Sequence, residues 1–411
     1  MRFAFLLLST ACGTAAFGQA NCAVTSTGMI PINDLGMGTY MGMMGGLYPN
    51  GSNLRPAAHQ AAGLSFAQQV QPLDATGAAD AVNGKVVWLS IGFSNATMET
   101  QAFIPLATAL PDLNPHLALV DGAQGGQTAM ILSTPTDPGY TPYWNTVANR
   151  LTNAGVTDQQ VQVIWLKDDD IVGTTPVEEH ADSLLVRFKR ITHELHDRFP
   201  NAHLCYIASR IYAGYASTTQ NPEPYAYRNG WTMKELIGDQ IAGDLDLQYA
   251  GAGANAPWLS WGVYLWADGT TPRGDGLTWI CPDDYENDGT HPSPTGRAKV
   301  AGLLLDFFTT DSTTCSWFLS DCGLSTGMSA IAVPGISFAP NPATSTITIQ
   351  HDLTGNCTLD VFDAMGRVVL SAPVIGPSSV IHTDGLAPGT YQLVLRDAHA
   401  RRTGTVLIAG E

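Results

Sequence analysis

A serine, an aspartate and a histidine are spaced so that they could act as one chemical unit. Ser94 lies in "VVWLSIGFSNATMET", two residues after Gly92, where an apolar run stops and a helix-compatible run begins. Far downstream, "DGTH" places Asp288 three residues before His291. One turn lets such a carboxylate orient the imidazole and stabilise its cationic form, while the other ring nitrogen faces a hydroxyl. A serine so paired becomes a nucleophile, and its own N–H at a helix start helps to hold an oxyanion. Alone, "GFSN" reads as a helix cap, a position serine favours, and "DGTH" as a hydrophilic turn. Together they point to acyl transfer from an ester.

Elements that position these residues can be read from hydrophobic period. From Lys85 onward, strand-length apolar runs alternate with helix-period runs. The expected strands are "VVWLSI", "LALVD" (117–121), "VQVIWL" (161–166), "HLCYIAS" (203–209) and "WLSWGVYLW" (258–266). The clearest helix spans 178–199, and a last one runs from about Ser293. This alternation predicts a three-layer α/β/α, flavodoxin-like domain built on a parallel sheet covered on both faces. Ligands of open α/β sheets bind beyond the carboxyl ends of the strands, which is where Ser94 falls.

At these residues the chain resembles the SGNH, or GDSL-type, hydrolases, and the order of blocks covers residues 85–311. "GFS" stands for the nucleophile block, Gly126-Gln127-Thr128 for the second block, and "DGTH" for the block before the last helix. The resemblance implies Ser94 as nucleophile, His291 as base, Asp288 as its orienting acid, and the N–H groups of Ser94 and Gly126 as oxyanion donors. Two positions depart from the pattern. Phe93 replaces the usual Asp, which is not the nucleophile. In "VIWLKDDD", Asp169 stands where the family has an oxyanion-hole Asn, and a carboxylate there repels an oxyanion unless protonated or turned away. Lys167 or Asn95 are the candidate substitutes. The nucleophile elbow of α/β-hydrolases, G-x-S-x-G, fits less well: "GFSNA" lacks its last glycine, and that fold places its serine after several strands. The second function class is a non-catalytic surface or carbohydrate-binding protein on a degenerate SGNH scaffold.

Arg210, Tyr212, Tyr215, Tyr225, Tyr227, Trp261 and Trp266 fall at or near strand ends. Aromatic platforms beside Arg suit a sugar-like substrate, and the expected substrate is an O-acyl, notably O-acetyl, ester on carbohydrate. The same aromatics would serve equally as core under long loops, with Trp261 the most core-like and Arg210 the most pocket-like. No Cys/His spacing suggests zinc, and the chemistry calls for no cofactor and no metal.

The whole chain has 411 residues and a net charge of −17, which argues against nucleic-acid binding. Residues 1–20 read as a signal peptide and no other stretch reaches transmembrane length. Six further cysteines, Cys22, Cys205, Cys281, Cys315, Cys322 and Cys357, favour disulfides in an exported protein. Residues 21–84 read as an ordered lead-in wrapping a catalytic domain at 85–322, followed by a linker at 323–335. Residues 336–411 alternate with period two and predict a β-sandwich of some seven strands. Their "FAPNPATSTITI", "LDVFDAMGRVV" and "GLAPGTYQLVL" resemble the sorting domain of the type IX secretion system of Bacteroidetes. That resemblance implies export through the periplasm to the cell surface or medium, with the secretion machinery as partner.

Overall fold

The computed structural model describes residues 19–322 and, apart from short stretches, 336–408. Most of the expected signal peptide, the linker and the "DAMGR" turn lie outside the described residues. The chain divides into two compact units, Met1–Ser320 and Asp321–Glu411.

The first unit is built on a five-stranded parallel sheet. Its strands are β1 (Val86–Gly92), β2 (Leu117–Asp121), β3 (Val161–Lys167), β4 (Leu204–Ile207) and β5 (Trp258–Trp261), in the order β2-β1-β3-β4-β5. Every residue of β1 and β3 is buried, as the continuous apolar runs require of strands covered on both faces. Helices α1 (Ala57–Ala67), α2 (Ser94–Thr108), α3 (Tyr140–Asn153), α4 (Val177–Arg198), α5 (Tyr225–Ala242) and α6 (Pro294–Thr310) flank the sheet, with α2 against α6 and α4 against α5. Trp88 of β1 stacks on Trp165 of β3 at 6.2 Å and meets Phe103 of α2 and Phe308 of α6. The fifth strand is shorter than its apolar run suggests. It ends at Trp261, and Val263–Ala267 remain buried outside the sheet.

The lead-in packs on this unit. The Thr27 and Gly28 N–H groups donate to the Asp268 carboxylate, Trp261 Nε1 donates to the Leu47 carbonyl at 2.8 Å, and Tyr48 Oη lies 2.9 Å from Ser260 Oγ. Arg55 pairs with Asp311 at 2.9 Å. A disulfide joins Cys22 to Cys281 across 259 residues, and Cys315 and Cys322 are also disulfide-bonded. Cys205 stays a buried thiol in β4.

The second unit is all-β. Seven strands are described: β6 (Ile336–Ala339), β7 (Thr346–His351), β8 (Cys357–Phe362), β9 (Val368–Val374), β10 (Ser378–His382), β11 (Gly389–Arg396) and β12 (Arg401–Ile408). They form a four-stranded sheet, β9-β8-β11-β12, and a three-stranded one, β10-β7-β6. Alternate residues Ile347, Ile349, Leu359, Val361, Leu393 and Leu395 point into a common core. Among the described residues, no helix is long and apolar enough to cross a membrane.

Candidate active site

The close approach of β1 to β3 at their carboxyl ends, where Gly92 pairs with Lys167, sets the position of Ser94. Gly92 has φ +143°, and a Cβ there would lie 1.8 Å from the Lys167 carbonyl oxygen, so only glycine fits. Phe93 is extended, and α2 begins at Ser94. As the first helical residue, Ser94 has an N–H without an acceptor inside the helix, at the positive end of the helix dipole.

The opposite wall is the turn before α6. Ser293 caps α6 by accepting from the Gly296 N–H, and Pro294 opens the helix. Just upstream, Asp288 Oδ1 accepts from the N–H groups of Thr290 (2.9 Å) and His291 (3.0 Å), which fixes the turn. Asp288 Oδ2 meets His291 Nδ1 at 2.5 Å, and His291 Nε2 meets Ser94 Oγ at 2.7 Å. Partial burial opposes the charge on Asp288, but the bonds from the His291 ring and the two turn amides win and hold its pKa at about 2. An ionised carboxylate only accepts, so Nδ1 carries the ring proton and the Nε2 lone pair faces the serine.

A pocket of about 170 Å³ opens beside these atoms, lined by Ser94, Asn95, Gly126, Gln127, Thr128, Asp169, Asp170, Arg210, Gln220, Asn221 and His291 among others. The turn at Gly126 (φ +75°) comes close to the nucleophile: a Cβ on Gly125 would sit 4.0 Å from Ser94 Cβ. Asn95 Nδ2 donates to the Thr290 carbonyl at 3.2 Å, tying the start of α2 to the histidine turn.

Asp169 and Asp170, on the pocket wall, each meet a basic side chain. Asp169 Oδ1 accepts from His180 Nε2 at 3.0 Å and from the Asp170 N–H at 2.8 Å, while its Oδ2 is buried with no partner. Burial lowers the pKa of His180, but its bond to Asp169 and the field of Asp169 and Asp170 raise it overall. Asp170 pairs with Arg187. His180 did not stand out in the sequence. It lies on the buried side of α4, and its partner is across a loop 11 residues upstream.

Lys167 does not reach the pocket. Its ammonium lies 2.6 and 2.7 Å from the two Glu99 oxygens, both side chains fully buried, so it has no role as an oxyanion donor. Burial draws Lys167 down to about 8, against the pull of Glu99. Tyr212, Tyr215, Tyr225 and Trp266 are not pocket residues either. The Tyr212 hydroxyl donates to the Val24 carbonyl, that of Tyr215 to Trp279, and that of Tyr225 to Thr175, while Trp266 Nε1 donates to Glu223. The lead-in and the 262–281 segment make Tyr212, Tyr215 and Trp266 part of the core, while Tyr225 is half-buried against His180. Tyr227 and Trp261 are buried as well.

Arg210 does line the pocket. It is 1% exposed, and its guanidinium sits 4.9 Å above the Phe93 ring. Nη2 reaches the Gln220 carbonyl only at 3.5 Å, and Nε has no partner. Among the described residues it forms no ion pair, and Asp169 and Glu99 act on it only through their fields.

Residues 337–409 match the family model described as "Secretion system C-terminal sorting domain". The match marks the chain for type IX export to the cell surface or the medium. No curated protein matches the sequence. Similar solved structures include a Slackia heliotrinireducens protein assigned to the SGNH hydrolases (17% identity, 55% of this chain and 99% of that chain, TM-score 0.30). A family two carbohydrate esterase from Clostridium thermocellum is similar at 13% identity, over 53% of this chain and 62% of that chain, with TM-score 0.31. The periplasmic domain of a lipopolysaccharide acetyltransferase from Salmonella ser. Paratyphi A is similar at 13% identity, over 55% and 84%, with TM-score 0.29. Likeness at these values does not extend to activity.

Proposed function

We propose that this protein is an exported serine esterase of SGNH type that removes short acyl groups, acetyl above all, from carbohydrate. The observation that carries the reading is the continuous chain from Asp288 through His291 to Ser94 Oγ, at 2.5 and 2.7 Å, beside an open pocket at the carboxyl end of the sheet.

In the first half-reaction Ser94 Oγ attacks the ester carbonyl as His291 Nε2 takes its proton. The carbonyl π electrons move to oxygen, and the N–H groups of Ser94 and Gly126 receive that oxyanion. Collapse breaks the bond to the alkoxy oxygen, which leaves with the proton from Nε2. Water then attacks the acyl-serine by the same proton route and releases the acid. Asp288 keeps Nδ1 protonated and offsets the imidazolium charge.

A pocket of about 170 Å³ supports a short acyl group. Gln127, Thr128 and Gln220 on its wall offer amide and hydroxyl groups to a hydroxyl-rich leaving group, beside apolar Phe93 and Ile171. Export to the surface or medium places the enzyme among extracellular glycans. The non-catalytic reading retains one observation in its favour, the unpartnered Asp169 Oδ2 beside the pocket. Turnover of p-nitrophenyl acetate and acetylated xylan by the wild type, absent in Ser94→Ala, is the expected result. Equal turnover by both proteins removes Ser94 from the mechanism, and no turnover by either favours the binding reading.

A further inference from the structure

The site has a mismatch between donors and acceptors. The resemblance assigns the oxyanion two backbone donors, Ser94 and Gly126, which both line the pocket, and the position after β3 that would bring a third donor holds Asp169 instead. Asp169 is turned toward His180, Asp170 toward Arg187 and Glu99 toward Lys167. Asp288 is bonded to the neutral His291 ring, while buried Asp168 and Glu223 have no ion pair among the described residues and meet Arg210 only through its field. Arg210, on the pocket wall, is a cation that forms no ion pair among the described residues.

Its environment is that of a group waiting for an acceptor. A buried guanidinium normally has its N–H groups bonded, because stranding them costs desolvation without return. Arg210 has an unpartnered Nε and only a long contact from Nη2, at the same pocket wall as Ser94 and His291. Phe93 lies directly before the nucleophile and supplies the face over which the guanidinium rests, 4.9 Å from the ring centre. An aromatic at 93 and a cation at 210 thus form one device, held against the strand end that carries the serine.

Resting on the serine-esterase reading, we propose that Arg210 is a third oxyanion donor: its N–H groups bond the negative oxygen that forms when Ser94 attacks. Phe93 is the positioning residue that holds the guanidinium plane. A cation in that place contributes more to the transition state than to the neutral ester, so its removal lowers kcat rather than raising KM. A rival role is recognition of a negative charge fixed on the substrate. A neutral probe without any such charge separates the two.

The test is steady-state hydrolysis of p-nitrophenyl acetate by the full-length wild type, Ser94→Ala, Arg210→Ala and Arg210→Gln. Arg210→Ala is expected to lose about 10²- to 10³-fold in kcat with KM changed little, the range of a missing oxyanion donor. Millimolar guanidinium should restore part of that loss, a response a merely structural role does not produce. If Arg210→Ala does not fold, Arg210→Gln carries the test through the same split of kcat from KM. Unchanged kcat, a rise in KM alone, or a loss that guanidinium does not rescue in folded Arg210→Ala overturns the proposal. The failures are distinguishable: full activity of Ser94→Ala sinks the esterase reading itself, whereas an inactive Ser94→Ala beside a fully active Arg210 variant sinks only the third donor.

Discussion

Replacing Asp288 by asparagine changes one atom and should silence the site. Asp288 Oδ1 holds the turn by accepting from the Thr290 and His291 amides. The asparagine carbonyl takes over that duty, which leaves its NH₂ facing His291 Nδ1, where Oδ2 stood at 2.5 Å. Two donors cannot share that contact, so the ring moves its proton to Nε2. That proton then points at Ser94 Oγ, 2.7 Å away, and the base loses its lone pair. The imidazolium also loses its counter-charge. Triads treated this way lose about 10⁴-fold in kcat, roughly 5.5 kcal/mol of transition-state stabilisation. The assay is p-nitrophenyl acetate turnover, with the histidine tautomer followed by nitrogen-detected NMR. A kcat within tenfold of wild type, or a ring still protonated on Nδ1, refutes the reasoning. Stability provides a second check. The folded pKa of Asp288 is depressed from 3.8 to about 2, so its contribution is present above 3.8 and is lost as pH falls through 2. The shift is worth about 1–2 kcal/mol after solvent screening. Asp288→Asn should therefore have a flatter stability profile between those pH values.

Two further predictions concern the charges beneath the pocket. Lys167→Met strands Glu99, which should cost about 3–5 kcal/mol in urea unfolding, while pairing it with Glu99→Leu should recover much of that loss. A single variant as stable as the wild type would contradict the buried pair. Asp169→Asn removes the main group that raises His180, leaving burial to act, so the His180 pKa should fall below the ordinary 6.5 in an NMR titration. In the wild type the raised pKa contributes stability that is complete below 6.5 and lost as pH rises through the folded value, and in the variant this dependence should reverse sign, with stability lost as pH falls below 6.5.

The sheet was legible because strands buried on both faces must be apolar without interruption, and β1 and β3 are. The same rule over-extended the fifth strand: Val263–Ala267 are as apolar as a strand but are buried under the lead-in as loop. Asp288 and His291 were legible because their contact is local, three residues apart. Ser94 was legible from its place at a strand end. Lys167 and His180 were not, since each is defined by a partner, Glu99 or Asp169, on another element. Tyr212 and Trp266 were misplaced for a related reason. An aromatic at a strand end is pocket or core depending on what covers it, and the cover here is a segment some 190 residues upstream, reaching Tyr212 through Val24.

The Cys22–Cys281 bridge has a consequence for when the first unit is fastened. It spans 259 residues and attaches the start of the described chain to the segment that leads into Asp288 and His291. The Ala20 N–H donates to the Asn287 carbonyl in the same place. The tether can close only after both ends have arrived in an oxidising compartment. A chain held back in the cytoplasm therefore keeps its lead-in untied from the segment before the acid–histidine turn, and the bridged form belongs to the exported molecule.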